Sequence, residues 1–438
     1  MPIPELPGIL VERYSDQERY LKQRVKHMCQ LEHERQVCSE FPGSQPVSFA
    51  TRDLEKLESQ DYWVCEKSDG IRVLFLVNTD TDGQSVYIID RHNTYRQLLG
   101  FFFPDHEDPR RELQNTLIDG ELVIDVDPQT KQETLRLLAF DCLVIGGQNV
   151  MAKPLDKRYG RLTEWFYKPY RRMIQDHPHV LETHPFHIKV KEINLSYHAE
   201  KVFSVDIPAL QHGNDGLIYT CVNAPYTAGT DNNILKWKPP SENSIDFKLV
   251  LRFPPSRHNP SEPDWHAKPL FLLYVWCGDD KGQPRYDLYD ELFVEDEEWE
   301  ELKKSGEQID ERVVEVHWEP QHSRWRMMRF RDDKPRGNHR SVVENIIDSI
   351  ADGVEKDALL SRSNSIRAAW KRRLGQPQPP MPTQGSQQSM RPPPVPNTGS
   401  FSRPPPPPPP NVQYRYGPIA QSRWSKVSGP PVIAGMKR

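Results

Sequence analysis

A lysine that is followed closely by a glycine and an arginine is the first feature of this sequence that could carry chemistry. Lys67 stands in the segment EKSDGIR, residues 66–72, between two runs of strand-forming residues. A lysine amine can act as a covalent nucleophile, and Arg72 could bind a phosphate or a ribose beside it. Taken alone this signal is weak, because a surface turn with a solvated lysine is the commoner explanation of such a heptapeptide.

An ordered series of charged and aromatic residues downstream makes the pattern specific. Glu121 and Asp215 could supply hard oxygen ligands to a divalent cation, or contacts to a ribose. The blocks of the series are DR at 90–91, DGE at 119–121, FD at 140–141, DGLI at 215–218, ILKWKP at 234–239 and WRMMRFRDDK at 325–334, the last running on to Asn338.

These blocks resemble those of the covalent nucleotidyltransferase superfamily, which comprises mRNA capping guanylyltransferases and polynucleotide ligases. Within it the sequence is most similar to the capping enzymes, and to the separate guanylyltransferase subunit of fungi. The last block reads Arg-x-Asp-Lys-x-x-x-Asn, and KWKP at 236–239 resembles a capping block. The resemblance covers about residues 40–340. It implies transfer of GMP from GTP, through a covalent lysyl-N-GMP intermediate, to the 5′-diphosphate end of nascent pre-mRNA, which forms the GpppN cap.

The resemblance also implies a role for each residue. Lys67 would be the catalytic residue that becomes guanylylated. Asp215 and Glu121 would bind the cofactor, Mg²⁺ or Mn²⁺. The residues that would bind GTP are Arg72 and Glu121 at the ribose, Arg91 near the ribose or a phosphate, Phe140 stacked on the guanine, Lys191 at a base edge, Lys236 and Lys238 near the α-phosphate, and Arg331, Asp333 and Lys334, which would close over the β- and γ-phosphates.

The chemistry asks for a lysine that has lost its proton. A free lysine has a pKa near 10.4, so at neutral pH it is an ammonium and not a nucleophile. Neighbouring cations lower such a pKa and also neutralise charge that grows on the α-phosphate. We expect Arg72, Lys236 and Lys238 to be those neighbours of Lys67.

Strand-like runs dominate the elements that must position these residues. The spacing of the runs is that of antiparallel hairpins and not of β-α-β crossovers. We expect a helix over 15–31 with Asp16 as its cap, and an amphipathic helix over 156–176 that is interrupted near Pro169. The clearest runs are YWVCEK, IRVLFLVN, SVYIID, LIDGELVID, LRLLAFDCLVI, DGLIYT and ILKWK.

The predicted fold class is α+β in three parts. Residues 1–243 form a nucleotidyltransferase domain of antiparallel sheets with helices, which binds GTP and carries the catalysis. Residues 244–372 form a β-barrel domain of the OB type with a C-terminal helix, because strand-like runs recur there around the acidic helix EDEEWEELKK. Residues 373–438 form a proline-rich tail expected to be disordered, and truncation near Gly375 is expected to preserve the covalent intermediate.

Composition excludes several classes and leaves an intracellular enzyme. The six cysteines show no Cys-x-x-Cys pair, the N-terminus lacks a signal-peptide pattern, and no apolar run is long enough to span a membrane. By analogy with the family, the partners are the 5′ end of nascent RNA, an RNA 5′-triphosphatase (the β subunit) and the phosphorylated C-terminal tail of RNA polymerase II. The expected location is the nucleus.

Several alternatives stay open at this stage. The enzyme could instead be an ATP-using RNA or DNA ligase, or the chain could be an inactive scaffold. Phe140 and Trp237 could be core aromatics, and Asp119 a hydrogen-bonding residue. Lys189 could replace Lys191, since both lie on the same face of the predicted strand. The fifteen histidines form no ligand-spaced set and are assigned nothing.

Overall fold

The chain divides into two compact units. The first unit joins Met1–Lys238 to Val354–Gln376, and the second contains Pro239–Gly353. The proline-rich tail predicted by the sequence lies outside the described residues from 376 onward, apart from two short strands. The residues that this computed structural model describes are 4–31, 41–259, 262–319, 322–375, 432–433 and 436–437.

Strands form the sheets of both units, as the sequence predicts. In chain order they are β1 (Ile9–Leu10), β2 (Ser44–Ser48), β3 (Tyr62–Ser68), β4 (Ile71–Asp80), β5 (Gly83–Ile89), β6 (Tyr95–Leu98), β7 (Thr116–Val126), β8 (Glu133–Ile145), β9 (Gln148–Asn149), β10 (His187–Val190), β11 (Asn194–Leu195), β12 (Asn214–Cys221), β13 (Gly229–Trp237), β14 (Ser244–Arg252), β15 (Leu270–Asp280), β16 (Gln283–Phe293), β17 (Val313–Glu319), β18 (Arg324–Phe330), β19 (Val432–Ile433) and β20 (Met436–Lys437).

The helices are short and lie mostly between or after the strands. Helical segments of other types are the π-helices Leu162–Tyr167 and Val202–Asp206 and the 3₁₀ helices Pro178–Thr183, Ser196–His198, Ile207–Ala209 and Pro240–Glu242. The α-helices are α1 (Asp16–Cys29), α2 (Asp53–Ser59), α3 (Leu155–Arg161), α4 (Lys168–Asp176), α5 (Ala199–Lys201), α6 (Asp296–Ser305), α7 (Arg340–Ala351), α8 (Lys356–Ser361) and α9 (Ser363–Leu374).

Two sheets build the described part of the first unit. The larger has the strand order β1-β6-β5-β4-β7-β8-β10, with β9 paired to β8, and the smaller has the order β11-β3-β12-β13-β2. The β4-β5 and β7-β8 pairs are antiparallel hairpin pairs, as predicted. Two pairs, β10 with β8 and β13 with β2, are parallel and were not predicted.

Strand β4 shows why the strands of the larger sheet could be predicted from the sequence. Val73 and Phe75 pack into one apolar cluster, while Leu74 and Leu76 pack into a second cluster on the opposite face. Because both faces are covered, the strand is an almost continuous apolar run and not an alternating one. It carries Arg72 at its start, so the rigid centre of the sheet holds a residue of the predicted site.

The N-cap of helix α1 is Ser15 and not Asp16, the cap that the sequence predicts. The Ser15 hydroxyl accepts a hydrogen bond from the backbone N–H of Glu18, and Asp16 lies inside the first turn. A serine hydroxyl at the N-cap satisfies one of the N–H groups that lack a partner within the helix. Asp16 still favours the helix through its charge at the positive end of the dipole.

The predicted helix over 156–176 is formed without the expected break at Pro169. Helix α3 runs into the π-helix Leu162–Tyr167 and then into α4, where the proline lies in the first turn. The wider π-helical turn precedes the proline and changes the hydrogen-bond pattern there, since the Lys168 N–H donates to the backbone oxygen of Thr163, five residues earlier. The interruption is therefore a change of helical pitch before the proline.

The second unit is a closed five-stranded barrel, in the order β14-β15-β16-β18-β17 within its described residues. Helix α6 lies between β16 and β17 and is capped reciprocally by Glu295 and Glu298. Trp299 on this helix is buried among barrel residues such as Phe271, so the acidic run is not simply a solvated face. Strand β16 was missed because its sequence is polar and mostly half-exposed.

The predicted boundary at the end of the barrel domain is wrong. Residues from Val354 onward pack on the first unit, although the sequence interpretation assigned everything to residue 372 to the barrel. Val354, Leu359 and Ile366 are buried in the cluster that contains Trp237. Burial of these apolar side chains stabilises the packing of the segment on the first unit.

No helix within the described ranges is long and apolar enough to cross a membrane.

Candidate active site

Lys67 stands next to a carboxylate that a distortion of the neighbouring strand presents to it. Its Nζ lies 2.5 Å from Oδ1 of Asp215, and the two side chains are 30% and 34% exposed. Strand β12 pairs with β3 on both sides of this point, but the register shifts there. Gly216 has φ +135°, and a Cβ on it would lie 2.0 Å from the carbonyl oxygen of Trp237. The bulge therefore needs a glycine, and it directs Asp215 at Lys67.

Arg72 is buried behind the lysine and its charge is already paired. Its Nε and Nη2 donate to the two carboxylate oxygens of Asp119, at 2.9 Å and 2.5 Å. Nη1 also donates to the backbone oxygen of Ser44 at 2.5 Å. A two-point pair of this kind fixes the plane of the guanidinium. Arg72 lines the same cleft as Lys67, as expected of a neighbouring cation, but its charge is balanced by Asp119.

Gly70 allows Arg72 to reach this position. A Cβ at residue 70 would lie 2.2 Å from the carbonyl oxygen of Leu122, so the turn between β3 and β4 can approach β7 only with a glycine there. In the resulting register Arg72 lies opposite Glu121 on the neighbouring strand. The glycine of the EKSDGIR segment therefore sets the distance between the lysine strand and the carboxylate strand.

A cleft of about 830 Å³, open to solvent, brings half of the predicted residues together. Its wall combines aromatic and aliphatic side chains with a few charged groups, as is typical of sites for small organic ligands. All the residues that line it belong to the first unit. The predicted residues among them are Lys67, Arg72, Arg91, Glu121, Phe140 and Lys191.

One end of the cleft is apolar. The ring of Phe140 is half-buried, and the Arg72 guanidinium lies 5.5 Å from its centroid. Ile193, Ile218 and Trp63 also line the cleft. An aromatic face with branched aliphatic side chains around it suits a flat heterocyclic base. Trp237, by contrast, is a core residue: it is buried, and its indole N–H donates to the backbone oxygen of Val354 at 2.7 Å.

Burial changes the acid–base behaviour of two residues in the cleft. Burial raises the pKa of the Glu121 carboxyl above its usual range, although Lys191, Arg72 and Lys67 oppose the shift. For Lys191 burial opposes the charged form, but Glu66 and Glu121 raise its pKa above the ordinary value. Lys191 therefore remains an ammonium at neutral pH, with a charge that the protein itself balances.

The structure separates Lys191 from the alternative, Lys189. Lys191 lies just after the end of β10, is 6% exposed and lines the cleft. Lys189 is exposed and does not line the cleft, although both lysines line a second cavity. Burial and access to the cleft therefore distinguish Lys191 from Lys189.

Neither Lys236 nor Lys238 lines the cleft, although Lys236 is close enough to Lys67 and Arg91 to feel their charges. Lys236 is on β13, and partial burial together with Lys67 and Arg91 lowers its pKa. Like charges so arranged repel each other, and an anion between them would relieve the repulsion. Lys238 follows the end of β13 and is half-buried.

Arg331, Asp333 and Lys334 lie in the second unit, after β18. Arg331 donates to Asp333 at 2.7 Å and 2.8 Å. Lys334 lies 2.5 Å from a carboxylate oxygen of Asp246, which is buried in the barrel unit. All three predicted residues of this unit are thus held in one ion-pair cluster.

The donor set of the cleft suits a hard divalent cation that keeps part of its hydration. Among the described residues no group of three or more His, Cys, Asp or Glu side chains could hold a metal ion. Mg²⁺ is typically bound through one or two carboxylates, with water and substrate phosphate completing the shell. Asp215 at the lysine and Glu121 in the cleft match that requirement.

Three residues that line the cleft were not among the site residues predicted from the sequence. Asp119 accepts from Arg72 and also, at 2.5 Å, from the hydroxyl of Tyr226, so it is a buried hydrogen-bonding residue. Tyr226 and Ser44 both line the cleft and contact each other through the serine N–H. Asp119 could have been found from its place in the DGE block, but Ser44 and Tyr226 carry no motif.

Comparison with known proteins gives consistent matches over most of the chain. The mRNA capping enzyme catalytic-domain family matches residues 6–240, and the mRNA capping enzyme C-terminal-domain family matches residues 242–360. The mRNA-capping enzyme subunit alpha of Neurospora crassa is 43% identical over 76% of this chain and 86% of that protein. Those of Candida glabrata and Saccharomyces cerevisiae are 41% and 40% identical, each over 84% of this chain, and over 89% and 87% of their own lengths.

A likeness to solved ligase structures is much weaker. The ATP-dependent DNA ligase from bacteriophage T7 in complex with ATP is 14% identical and has a TM-score of 0.30. It covers 66% of this chain and 98% of that chain. A likeness at this score carries no argument about the site.

Proposed function

The chain belongs to the mRNA capping enzyme family, and from this premise we propose that it is the guanylyltransferase that uses Lys67 as its nucleophile. The observation that carries the proposal is the cleft itself. It combines the Lys67–Asp215 pair with an aromatic slot and a buried ammonium from one unit of the chain. No binding surface would need a nucleophile, carboxylates and a base slot together.

The proposed reaction has two balanced steps. The neutral amine of Lys67 attacks the α-phosphorus of GTP, a phosphorus–nitrogen bond forms, the bond to the β-phosphate oxygen breaks to release pyrophosphate, and the nitrogen gives one proton to water. The 5′-diphosphate end of an RNA then attacks the same phosphorus, the electron pair of the phosphorus–nitrogen bond returns to the lysine, and the nitrogen takes a proton back from water. Covalent catalysis of this kind divides one difficult transfer into two easier ones.

The first step requires Lys67 to leave Asp215 and lose a proton. At 2.5 Å the carboxylate and Nζ form a close ion pair. A divalent cation, Mg²⁺ or Mn²⁺, bound by Asp215 and Glu121 would neutralise negative charge on the α-phosphate. With Asp215 holding the cation, its pairing with Lys67 would weaken, and the amine would be free to lose its proton and attack.

The other residues of the cleft would bind and orient GTP. Phe140 would stack on the guanine, and Lys191 would donate to the acceptors on its edge. Arg72 and Glu121 would contact the ribose, and Arg91 the ribose or a phosphate. Lys236 and Lys238 would face the α-phosphate, where a nucleotide anion relieves the repulsion that lowers the pKa of Lys236.

We assign the barrel to the OB type and propose that it completes the site during catalysis. Its third and fifth strands are neighbours, and its helix lies between the third and fourth strands, the pattern of a Greek-key barrel. Arg331, Asp333 and Lys334 would act on the β- and γ-phosphates when the cleft is shut. Closure of this kind excludes water, and reopening would release pyrophosphate.

The partners follow from the reaction and from the names of the relatives. A fungal alpha subunit implies a second subunit, which we propose is an RNA 5′-triphosphatase that supplies the diphosphate end. The phosphorylated C-terminal tail of RNA polymerase II would bring the enzyme to nascent RNA. The site of action would then be the nucleus.

A label-transfer assay tests the proposed function. Purified full-length protein is incubated with Mg²⁺ or Mn²⁺ and α-labelled GTP, without nucleic acid, and resolved by denaturing electrophoresis. We expect labelled protein from wild type and none from Lys67→Ala, because alanine has no amine. Val205→Ala, an exposed change elsewhere on the same unit, should label as wild type does.

The same assay with α-labelled ATP separates capping from ligation. We expect strong preference for GTP, because a buried ammonium at the base edge favours the two acceptors that guanine presents there over the donor of adenine. Preferential label from ATP would identify a ligase instead. Absence of covalent label from either nucleotide with both metals would contradict an enzyme of this class.

A further inference from the structure

We propose that His212 is a positioning residue that holds Lys191 toward the nucleotide base through the hydroxyl of Ser68. This inference rests on the proposed function, because it concerns how the cleft selects guanine. His212 is buried, at 8% exposure, and does not line the cleft. It acts through two other side chains and touches neither nucleotide nor metal.

The ammonium of Lys191 has two of its three donors fixed inside the protein. Its Nζ donates to Ser68 Oγ at 2.8 Å and lies 3.1 Å from Glu66 Oε1. Both partners are buried, at 3% and 6% exposure. An ammonium has three N–H groups and no acceptor, so the third points where the first two leave room. The geometry of Ser68 and Glu66 thus decides where Lys191 can donate to a ligand.

Ser68 needs His212 to keep this geometry. Its hydroxyl accepts from Lys191 and has one hydrogen to give. Two acceptors stand at the same distance of 3.3 Å, Glu66 Oε1 and His212 Nε2. If the imidazole were missing, the hydroxyl could turn only toward Glu66, which is also the counter-ion of Lys191. The histidine therefore gives Ser68 a direction away from the ion pair.

His212 is itself fixed from behind. Its Nδ1 lies 2.7 Å from Asp125 Oδ1, and Asp125 Oδ2 accepts from Arg136 Nε at 2.5 Å. Although burial opposes the charge, the hydrogen bonds from His212 and Arg136 lower the pKa of Asp125. An ionised carboxylate only accepts, so the ring carries a hydrogen on Nδ1, and in that tautomer Nε2 is the acceptor for Ser68. The chain of contacts runs Arg136, Asp125, His212, Ser68, Lys191.

The side chain of Lys191 is what this support positions, because its backbone is already fixed. Lys191 follows β10, at the edge of the larger sheet; its N–H donates to the backbone oxygen of Ala139, and its carbonyl oxygen accepts from the Tyr159 hydroxyl, each at 2.8 Å. Besides the cleft, Lys191 lines a second cavity of about 670 Å³, whose wall also includes His212 and Val205. Without the contacts to Ser68 and Glu66, the ammonium would be free to turn out of the cleft into this second cavity. Such a displacement would weaken guanine binding and leave Lys67 untouched.

Two substitutions of His212 separate positioning from packing. In His212→Gln the amide reaches the position of Nε2 and keeps a partner for Ser68, whereas in His212→Asn the amide mimics only Nδ1. Rates of labelled GMP adduct formation are measured against GTP and ATP concentration, with full-length protein. For His212→Asn we expect the KM for GTP to rise about tenfold and the GTP-to-ATP ratio of kcat/KM to fall by a similar factor, as for loss of a hydrogen bond at a charged group. The kcat at saturating GTP should change less than about threefold.

Controls keep the result specific. His212→Gln is expected to restore KM and selectivity, and Val205→Ala, which removes an apolar wall of the second cavity, to leave both unchanged. Ser68→Ala should reproduce the loss of selectivity, and the double variant Ser68→Ala/His212→Asn should be no worse, because both interrupt one chain. Thermal unfolding of each variant checks the fold, and Ser68→Ala replaces His212→Asn in the comparison if the latter does not fold.

The outcomes distinguish this inference from the proposed function. If wild type forms the GMP adduct and neither His212→Asn nor Ser68→Ala changes selectivity, the inference is wrong and the proposed function stands. Equal impairment of His212→Asn and His212→Gln, with kcat and KM both affected, would mean that the histidine serves packing only, and also overturns it. If wild type forms no adduct with GTP, the proposed function is wrong and the inference falls with it.

Discussion

The cations of the cleft differ in how firmly their charge is bound. Arg72 is buried on a two-point pair with Asp119, and Lys191 is buried between Glu66 and Ser68. Lys67 is about a third exposed, and so is Asp215. An exposed pair exchanges partners at little cost, whereas a buried one does not. Of these three cations, only Lys67 is placed to change its partner during a reaction.

The Arg72–Asp119 pair predicts a strong effect on stability. Asp119→Asn removes the charge that balances a buried guanidinium, and breaking a buried pair in this way typically costs about 3–5 kcal/mol. We expect a loss of that order in the free energy of unfolding, measured with denaturant on full-length protein. Asp16→Asn, which breaks an ion pair at a 98% exposed carboxylate, is the matched control and should cost less than about 1 kcal/mol. Equal effects would contradict the assigned burial.

Sequence reasoning found the residues that carry motifs and missed those that support them. Lys67, Glu121 and Phe140 belong to blocks with fixed order, and all three line the cleft. His212 carries no pattern, because its partners Asp125 and Ser68 are 87 and 144 residues away in the chain. A contact that depends on sheet topology and not on spacing leaves no local signal.

Among the elements, strands with both faces buried were predicted from the sequence, whereas short strands at the edge of a sheet were not. Strand β4 was visible as an apolar run because it packs against two clusters. The edge strand β10 has four residues, one of them exposed, and its parallel pairing with β8 follows from the path of the chain through the preceding helices. A helix was predicted over 156–176, but the amino-acid composition does not indicate that its centre is a π-helix.

The packing of the segment from Val354 through α8 and α9 on the first unit predicts where the chain can be truncated. Val354, Leu359 and Ile366 are buried in the first unit, and Arg373 donates to Asp61 at 2.9 Å. Full burial of one such apolar side chain contributes about 1.5–3 kcal/mol, so losing all three is comparable with the stability of a whole domain. We expect a chain that ends at Gly375 to keep covalent labelling by GTP, and one that ends at Gly353 to lose it.

The measurement is adduct formation together with thermal unfolding of both truncated chains. A chain ending at Gly353 that is folded and labels as wild type does would contradict the packing of α8 and α9 on the first unit. A chain ending at Gly375 that is folded but inactive would show that the proline-rich residues beyond it take part in the reaction.

At the scale of the whole molecule, the barrel is an insertion in the chain of the catalytic unit. Its core has its own apolar residues, including Phe247, Val314 and Trp325, and its strands close on one another. The sequence interpretation placed the boundary at 372 because the helical pattern after the barrel does not reveal which core receives it. Only the three-dimensional contacts of Val354 and its neighbours decide this.

The insertion predicts that the barrel folds alone. A fragment of residues 239–353 is expected to show a β-rich circular dichroism spectrum and one cooperative thermal transition, because its core is complete. A fragment of residues 244–372 is the matched comparison. It carries α8 without the first-unit cluster that buries Leu359, so we expect it to be no more stable and to associate more readily. A folded longer fragment beside an unfolded shorter one would contradict the boundary.

The return of the chain to the first unit has a consequence for synthesis on the ribosome. The residues that close the cluster around Trp237 emerge only after all of residues 239–353 have been translated. At about 5–20 residues per second, that interval is on the order of ten seconds. During it the nascent catalytic half waits with an incompletely covered apolar face, so the inserted module is finished before the part of the protein that began first.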